Sequence, residues 1–282
     1  MDAGAAGGVL RERSEEAPAL KTFVCIKSVP NLAEAEVRIS GGGTAIDLGG
    51  VPLEINDADS CAVEQAILLK EAFGGSVCTV TIGASDQDVM IRMALARGCD
   101  RSLRVEYPEL KPGTSALVIA RILAAAIRGH EFDLILTGAM ASDDGHMAVG
   151  VALARELGVA HAAVARKVAV ASGKVTVVRE LEGGLGEVVE LALPAVLTLQ
   201  TGINKPRYAQ ILGIRAAQKK ELQVQSVADV GPGDESLAEL GDAIRLERFY
   251  RPEVASKAEF MQGDLDTQTE ALASKIVRAG GF

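Results

Sequence analysis

The stretch ILTGAMASDDGHMAVG, residues 135 to 150, concentrates groups suited to holding a ligand. An apolar run ends at Thr137 and Gly138, Asp143 and Asp144 follow, and after Gly145 a run of small residues reads as a helix from Met147 to Leu157. Carboxylates placed there either cap the helix or accept hydrogen bonds from ribose hydroxyls. The start of the helix would aim free N–H groups at an anion such as phosphate. Ligands of open parallel sheets bind beyond the carboxyl ends of the strands. Two further ends of this kind are Cys25 to Val29 and Ile82 to Ser85, and Asn56, just before a helix, can join them. Gly83 and Gly138 would let the backbone approach a ligand with no Cβ in the way.

Catalytic groups are scarce. The chain has 3 histidines, and only His146 falls in this loop, where it reads as a ligand or solvent contact rather than a base. His130 reads as a solvated residue or cap at a helix end, and His161 as a structural residue in a turn. No Ser-His-Asp or Cys-His arrangement can be argued, and neither a Walker loop nor G-x-G-x-x-G occurs. Gly41-Gly42-Gly43 lies between short extended runs and reads as a hairpin turn. Cys25, Cys61, Cys78 and Cys99 lack metal-cluster spacing and read as reduced, buried thiols of a cytosolic protein. A nucleotide-type site with no acid-base set points to a carrier or binder rather than a hydrolase.

The elements that must position these groups follow from periodicity. Apolar residues make up 48% of the 282-residue chain, with no Trp, so Val, Ala, Leu and Ile must build the core. That composition suits a buried parallel sheet between helices. The net charge of −9 argues against a general nucleic-acid partner, and no apolar run approaches the length that membrane insertion needs. Strands are expected at KTFVCIKSV (21–29), SVCTVTIG (76–83), RSLRV (101–105) and FDLILTG (132–138). Between them fall helices with Ala62, Val63, Ala66, Ile67 and Phe73 inward, then Val89, Met90, Met93 and Ala94, then Val118, Ile119, Ile122, Leu123 and Ala126. Asp57, Asp59 and Ser60 offer cap oxygens to the first of these. Strand–helix alternation at this rhythm means a parallel sheet.

After Gly158 the sequence becomes β-branched, with turn signals at Ser172-Gly173 and Gly183-Gly184, and reads as two or three antiparallel strands. Residues 1 to 20 read as a flexible tail, 21–225 as one α/β domain, and 226–282 as a separate C-terminal arm. ADVGPGDESLAELGD reads as extended or loop-like. DTQTEALASKIVRAGGF reads as a helix with a Thr267–Glu270 capping box and an apolar stripe of Leu272, Ala273, Ile276 and Val277. That stripe could lie on the chain's own core or on a partner subunit.

One segment is far more specific. VVRELEGGLGEVVELALPAVLT (177–198) resembles the signature of the electron transfer flavoprotein beta subunit, with Arg179, Glu182, Gly183, Gly184, Glu187, Val189, Pro194 and Thr198 at its positions. Asn204, Pro206, Arg207 and Tyr208 resemble the family's N-E-P-R-Y, with Lys205 in place of Glu. Asn56, Ala62, Val63 and Glu64 resemble its N-P-F-x-E-x-A-V-E region, with Asp57 in place of Pro. MALARGCDR resembles A-L-A-M-G-A-D-R. The resemblance runs over about residues 21–225 in one register.

The resemblance implies an adenine-nucleotide-hydrolase-like sheet with an antiparallel extension, and a pocket for AMP or, in bifurcating members, a second FAD. By position, that pocket would use Cys25, Asn56, Asp57, Ala58, Asp59, Ile82 and Gly83. The loop would add Gly138, Ala139, Met140, Ala141, Ser142, Asp143, Asp144, Gly145, His146, Met147, Ala148, Val149 and Gly150. The family loop reads about K-Q-x-x-D-x-D-x-x-Q-x-G. Here Ala139, Met140, Gly145 and Ala148 replace its Lys, Gln, second Asp and second Gln. The implied role is that of an electron carrier rather than a classical enzyme. The redox FAD would be shared with an alpha subunit around which the C-terminal arm wraps. Electrons would pass from flavin dehydrogenases of the acyl-CoA type to a quinone oxidoreductase, or to low-potential acceptors if the complex bifurcates. The segment NKPRYAQILG would then dock the dehydrogenase through Ile211, with Tyr208 and Leu212 beside it. Gly202 and Lys205 replace the family's usual Arg and Glu there. The alternatives are a free-standing, universal-stress-like nucleotide-binding module and a hydrolase of related fold. The first would not need the strand-rich segment or the arm; the second would need a phosphate loop that is missing.

Overall fold

The computed structural model describes residues 19–31, 38–43, 45–243, 246–252 and 258–280. The expected tail falls outside the described residues up to residue 18. Its last residue, Leu20, is buried at the start of a strand, so the folded part begins earlier than expected.

The first strand, β1 (Leu20–Cys25), alternates Leu20 and Val24 towards one face and Phe23 and Cys25 towards the other, and both faces are buried. The expected single strand to Val29 breaks after Cys25, because β2 (Ser28–Pro30) leaves to pair antiparallel with β5 (Leu53–Ile55). Between them, β3 (Arg38–Ser40) and β4 (Ala45–Asp47) form the hairpin expected around the glycines, with Gly42 left-handed at φ 68°. Next come α1 (Asp57–Phe73), β6 (Gly75–Ile82), α2 (Asp88–Arg97), β7 (Arg101–Glu106), α3 (Ala116–Arg128), β8 (Leu134–Gly138) and α4 (Val149–Leu157). Helix α4 starts two residues later than expected, because Met147 is left-handed at φ 52° and cannot continue a helix. In α2 the buried face is Met90, Ile91, Ala94 and Leu95, whereas Val89 and Met93 are exposed, so the buried stripe is rotated by about one residue from the expected one.

The strand-rich part comprises β9 (Ala160–Ala171), β10 (Lys174–Glu180), β11 (Gly186–Ala192) and β12 (Ala195–Leu199). The first three are antiparallel and turn at the expected glycines, while β12 runs parallel to β8 and β9. His161 sits exposed on β9 rather than in a turn. After α5 (Ile211–Ala217), β13 (Leu222–Ser226) adds a parallel edge to β7.

The resulting nine-stranded sheet has the order β11-β10-β9-β12-β8-β1-β6-β7-β13. Helices cover both faces. Helices α1 and α2 pack on the face formed by Val24, Leu134 and Leu136, and α3 and α4 on the face formed by Phe23, Ile135 and Val196. The chain runs outward from β1 through β6 to β7 and then returns to β8 on the other side. The topological switch therefore lies between β1 and β8, where the crossovers leave a crevice at the strand ends.

The segment expected to be loop-like forms α6 (Val227–Val230), closed by a Ser226–Asp229 capping box, and α7 (Asp234–Asp242). Leu237 is buried at 8% exposure in the core beneath α3, and Val227, Val230 and Leu240 pack against the same cluster. Residues 226–242 thus do not leave the core as expected. Their spaced apolar side chains find a face that the sheet domain alone leaves open. The chain divides instead after Arg248. The second unit, residues 249–282, contains α8 (Leu265–Arg278). Its cap is Asp264, which accepts from the Thr267 N–H at 2.9 Å, rather than the expected Thr267 with Glu270. Leu272, Ile276 and Val277 are exposed along one side of it.

Candidate functional site

The switch point gathers the expected strand ends. Asn56 is the N-cap residue of α1, yet its side chain makes no capping bond. It reaches across the crevice instead. Its Nδ2 donates to the Met140 carbonyl at 2.9 Å, and its Oδ1 accepts from the Ser142 N–H at 3.2 Å. Only 2% exposed, Asn56 is spent on shaping the loop after β8. Asp59, expected as a cap oxygen, is also redirected: its two oxygens accept from the N–H groups of Gly138 and Lys27, each at 2.9 Å. One carboxylate thereby fastens α1 to the ends of β8 and β1. Burial pushes Asp59 up to about 7, while the Gly138 and Lys27 amides and the Asn56 side chain pull against that rise.

The glycines are needed for packing more than for ligand approach. A Cβ on Gly138 would lie 2.3 Å from Asp59 Oδ1 and 2.8 Å from the Ala58 Cβ, and one on Gly83 would lie 2.6 Å from the Gln87 Cγ. At Gly150 it would lie 2.4 Å from the Thr198 Cγ2 and 2.7 Å from the Thr137 Oγ1, so the start of α4 can sit on the ends of β8 and β12. The atoms that require these glycines belong to the protein itself.

Asp143 and Asp144 do not cap α4. Both bind Lys27 Nζ, at 2.7 Å each, and Asp144 also accepts from the His146 N–H at 3.0 Å. Burial alone would lower the Lys27 ammonium, but the two aspartates outweigh it and hold it above its ordinary value. Burial alone would likewise raise Asp144, but the His146 N–H and Lys27 outweigh it and hold the carboxyl low. The first turn of α4 has no side-chain cap from Ala148, and the first N–H groups of a helix have no partner within it.

Of the remaining expected residues, Ala58 is buried and Ile82 partly buried. Ala139 and Ala141 are partly exposed, as are Ala148 and Val149, and Gly145 turns left-handed at φ 64°. Asp57, Met140, His146 and Met147 are exposed around the crevice. Cys25 can offer only backbone here, because its thiol is buried in the core and burial pushes it far up. All four cysteines are free and buried.

Sequence reasoning missed Lys27, Gln87 and Arg104. The Ser28 hydroxyl donates to Gln87 Oε1 at 2.6 Å, tying the start of β2 to the turn after β6. Arg104 is buried, holds the Gly83 carbonyl at 3.1 Å, and pairs with Asp88 and Glu106. A lone basic residue on a strand gives no periodic signal. Only the strand order reveals that these side chains meet.

Residues 44–230 match the Electron transfer flavoprotein domain. The chain is 33% identical over 263 residues to the electron transfer flavoprotein subunit beta of Methylophilus methylotrophus, covering 92% of this chain and 97% of that one. It is 39% identical to that of Syntrophomonas wolfei over 212 residues (74% and 81% of the two chains). It is 35% identical to that of Sus scrofa over 214 residues (75% and 83%). The chain belongs to the electron transfer flavoprotein beta-subunit family. The match ends at residue 230, inside the first unit.

The family signature is visible here as structure. Arg179 donates from Nε to the Ala163 carbonyl at 2.7 Å and pairs with Glu187 at 2.8 Å, so it stitches β9, β10 and β11 together. The Thr198 hydroxyl accepts from the N–H of Val164 at 2.8 Å, where Val164 is left-handed in a bulge. Downstream, Asn204 donates to the Cys61 carbonyl at 3.0 Å, and Arg207 clasps Glu64 and Glu71 on α1. The glutamate hydrogen bonds lead in holding the Arg207 guanidinium well above its ordinary range. These contacts hold the segment leading to α5 while leaving Tyr208, Ile211 and Leu212 exposed. Among the described residues, no helix is long and apolar enough to cross a membrane, and no group of three His, Cys, Asp or Glu side chains is placed to hold a metal ion.

Proposed function

We propose that this chain, as the beta subunit of an electron transfer flavoprotein, pairs with an alpha subunit and holds an adenine nucleotide in the crevice at its switch point. The observation that carries this reading is the convergence on one loop: Asn56 holds Met140 and Ser142, Asp59 holds Gly138, and Lys27 holds Asp143 and Asp144. The residues present fit such a group. The uncapped start of α4 offers N–H donors to phosphate, Asp143 and Asp144 can accept from ribose hydroxyls, and Lys27 keeps their charge from repelling the phosphate. Ala139, Met140 and Ala148 add no charged contact, so backbone donors must do most of the phosphate binding.

A redox FAD shared with the alpha partner would supply the electron chemistry. This chain's part is to bind, orient and dock. Donors would be flavin dehydrogenases, met through Ile211 with Tyr208 and Leu212, and the acceptor a quinone oxidoreductase. Residues 249–282 would pack on the alpha subunit through Leu272, Ile276 and Val277. Four reduced, buried cysteines suit a reducing compartment, and we place the carrier in the cytoplasm.

The test is to co-express the chain with its alpha partner and identify the extracted nucleotides. FAD with AMP is the expected result for a simple carrier. Two FAD would mark a bifurcating complex with FAD in the crevice. A colourless monomer or homodimer would overturn the carrier reading in favour of a free-standing nucleotide module.

A further inference from the structure

The sheet carries a cavity at the opposite end of its strands from the crevice, lined by none of the crevice residues. It has a volume of about 380 Å³, with Phe23 and Cys78 at its base and Ser76, Arg101, His130 and Lys21 among the groups around them. Lys21 and Lys27 lie at opposite ends of the β1 segment, six residues apart. At about 3.3 Å per residue this cavity is roughly 20 Å from the nucleotide crevice.

Its polar groups are unequal. Lys21 is already paired with Glu131, and its N–H donates to Asp133 at 2.7 Å. Arg101 has no such partner among the described residues: its guanidinium lies 6.0 Å from the Phe23 ring centroid and makes no ion pair. The His130 ring lies tilted 5.7 Å from the same Phe23 ring. Neither its imidazole nor the Ser76 hydroxyl has a hydrogen-bond partner among the described residues. A partly buried guanidinium, an imidazole and a hydroxyl thus converge on an aromatic base with donor capacity unspent. A guanidinium with unspent donors is suited to a planar carboxylate or a phosphate. Phe23 and Cys78 line the cavity but are only 2% and 4% exposed, so they back the polar groups and the anion itself is what the cavity recognises.

We propose that this cavity binds a small organic anion, its carboxylate or phosphate paired with Arg101 and assisted by His130 and Ser76. The site does not depend on what fills the nucleotide crevice.

The test uses the full-length chain in complex with its alpha partner, titrated calorimetrically with benzoate and with inorganic phosphate. Saturable binding of benzoate is expected, weakened about tenfold or more by Arg101→Gln and several-fold by Ser76→Ala, with flavin and nucleotide content unchanged. Stronger binding of phosphate than of benzoate, with the same dependence on Arg101, would assign the anion to the phosphate class. Binding that is absent for both probes, or equal in the parent and in R101Q, overturns the proposal. Should R101Q fail to fold, S76A and His130→Gln carry the same test, and probe binding unchanged in both variants overturns the proposal equally.

Discussion

The side chain of Asp59 accepts a hydrogen bond from the Gly138 N–H at 2.9 Å, so the first turn of α1 is fastened to the end of β8. The other oxygen does the same for Lys27 at the end of β1. Asp59→Asn keeps the size but offers one acceptor where two amides need one each. A buried N–H would then face an NH2 group. We expect a loss of about 1–3 kcal/mol in stability, read as a lower urea midpoint, together with a lower yield of bound nucleotide. An unchanged midpoint would show that the Asp59 link contributes nothing.

The same residue gives a pH signature. Its folded-state value of about 7 lies above its ordinary 3.8, with burial the leading cause. Between those values the folded protein binds more protons than the unfolded chain, so this group makes stability fall as pH rises through the window. The expected outcome is a wild-type urea midpoint that declines from pH 5 to pH 7 relative to that of Asp59→Asn. Parallel curves for the two proteins would contradict it.

Lys27 bridges two carboxylates of the loop from the end of β1. Lys27→Met should leave Asp143 and Asp144 repelling one another and free the loop over residues 139–148. The pairs are partly solvated, so the stability change should be small, about 1 kcal/mol. Hydrogen exchange should quicken in this loop and not in β1 or β8, and nucleotide should be lost more readily during dialysis. Unaltered exchange in the loop would show that Lys27 does not hold it.

Much of this architecture was legible in the sequence. Strands β6, β7 and β8 stand out as short strand-length runs bounded by turn and helix signals, without alternation because both their faces are buried, and helix α3 as a period-3.6 stripe; the hairpin turns at Ser172-Gly173 and Gly183-Gly184 carry residues that tolerate positive φ. The positions at the crevice were legible too, but their roles were not. Asn56 and Asp59 have the chemistry of caps and sit where caps belong, yet both bond to a loop some 80 residues away in sequence, as Asp59 to Gly138 (79 residues) illustrates. Local propensity has no access to such a partner. Helices α6 and α7 were missed because Gly231, Pro232 and Gly233 read as loop, whereas Leu237 and Leu240 gain a core to lie on only once α3 is in place.

Ile211 is 72% exposed at the start of α5, beside Leu212 and Tyr208. An exposed aliphatic anchor ringed by polar groups concentrates the energy of a small transient interface. Ile211→Ala should raise the half-saturation concentration for the cognate dehydrogenase about thirtyfold, equivalent to about 2 kcal/mol. Flavin content and potential should stay the same. An unchanged half-saturation concentration would remove Ile211 from the docking surface.

Where the arm is cut should decide what is lost. Truncation after Arg248 removes the second unit and keeps α6 and α7 on the core. Truncation after Gln225 also strips Leu237 and Leu240 from beneath α3. The first cut should leave the sheet unit folded, with a near-normal urea midpoint, while weakening association with the alpha subunit, because the Leu272–Ile276–Val277 face is gone. The second should lower the midpoint itself, by about 2 kcal/mol or more for the large side chains uncovered. Analytical ultracentrifugation and urea titration on both truncated chains separate the two effects. If the first cut unfolds the sheet unit, the arm stabilises its own chain and is not a partner-binding element; if it leaves heterodimer affinity intact, the alpha subunit is held elsewhere.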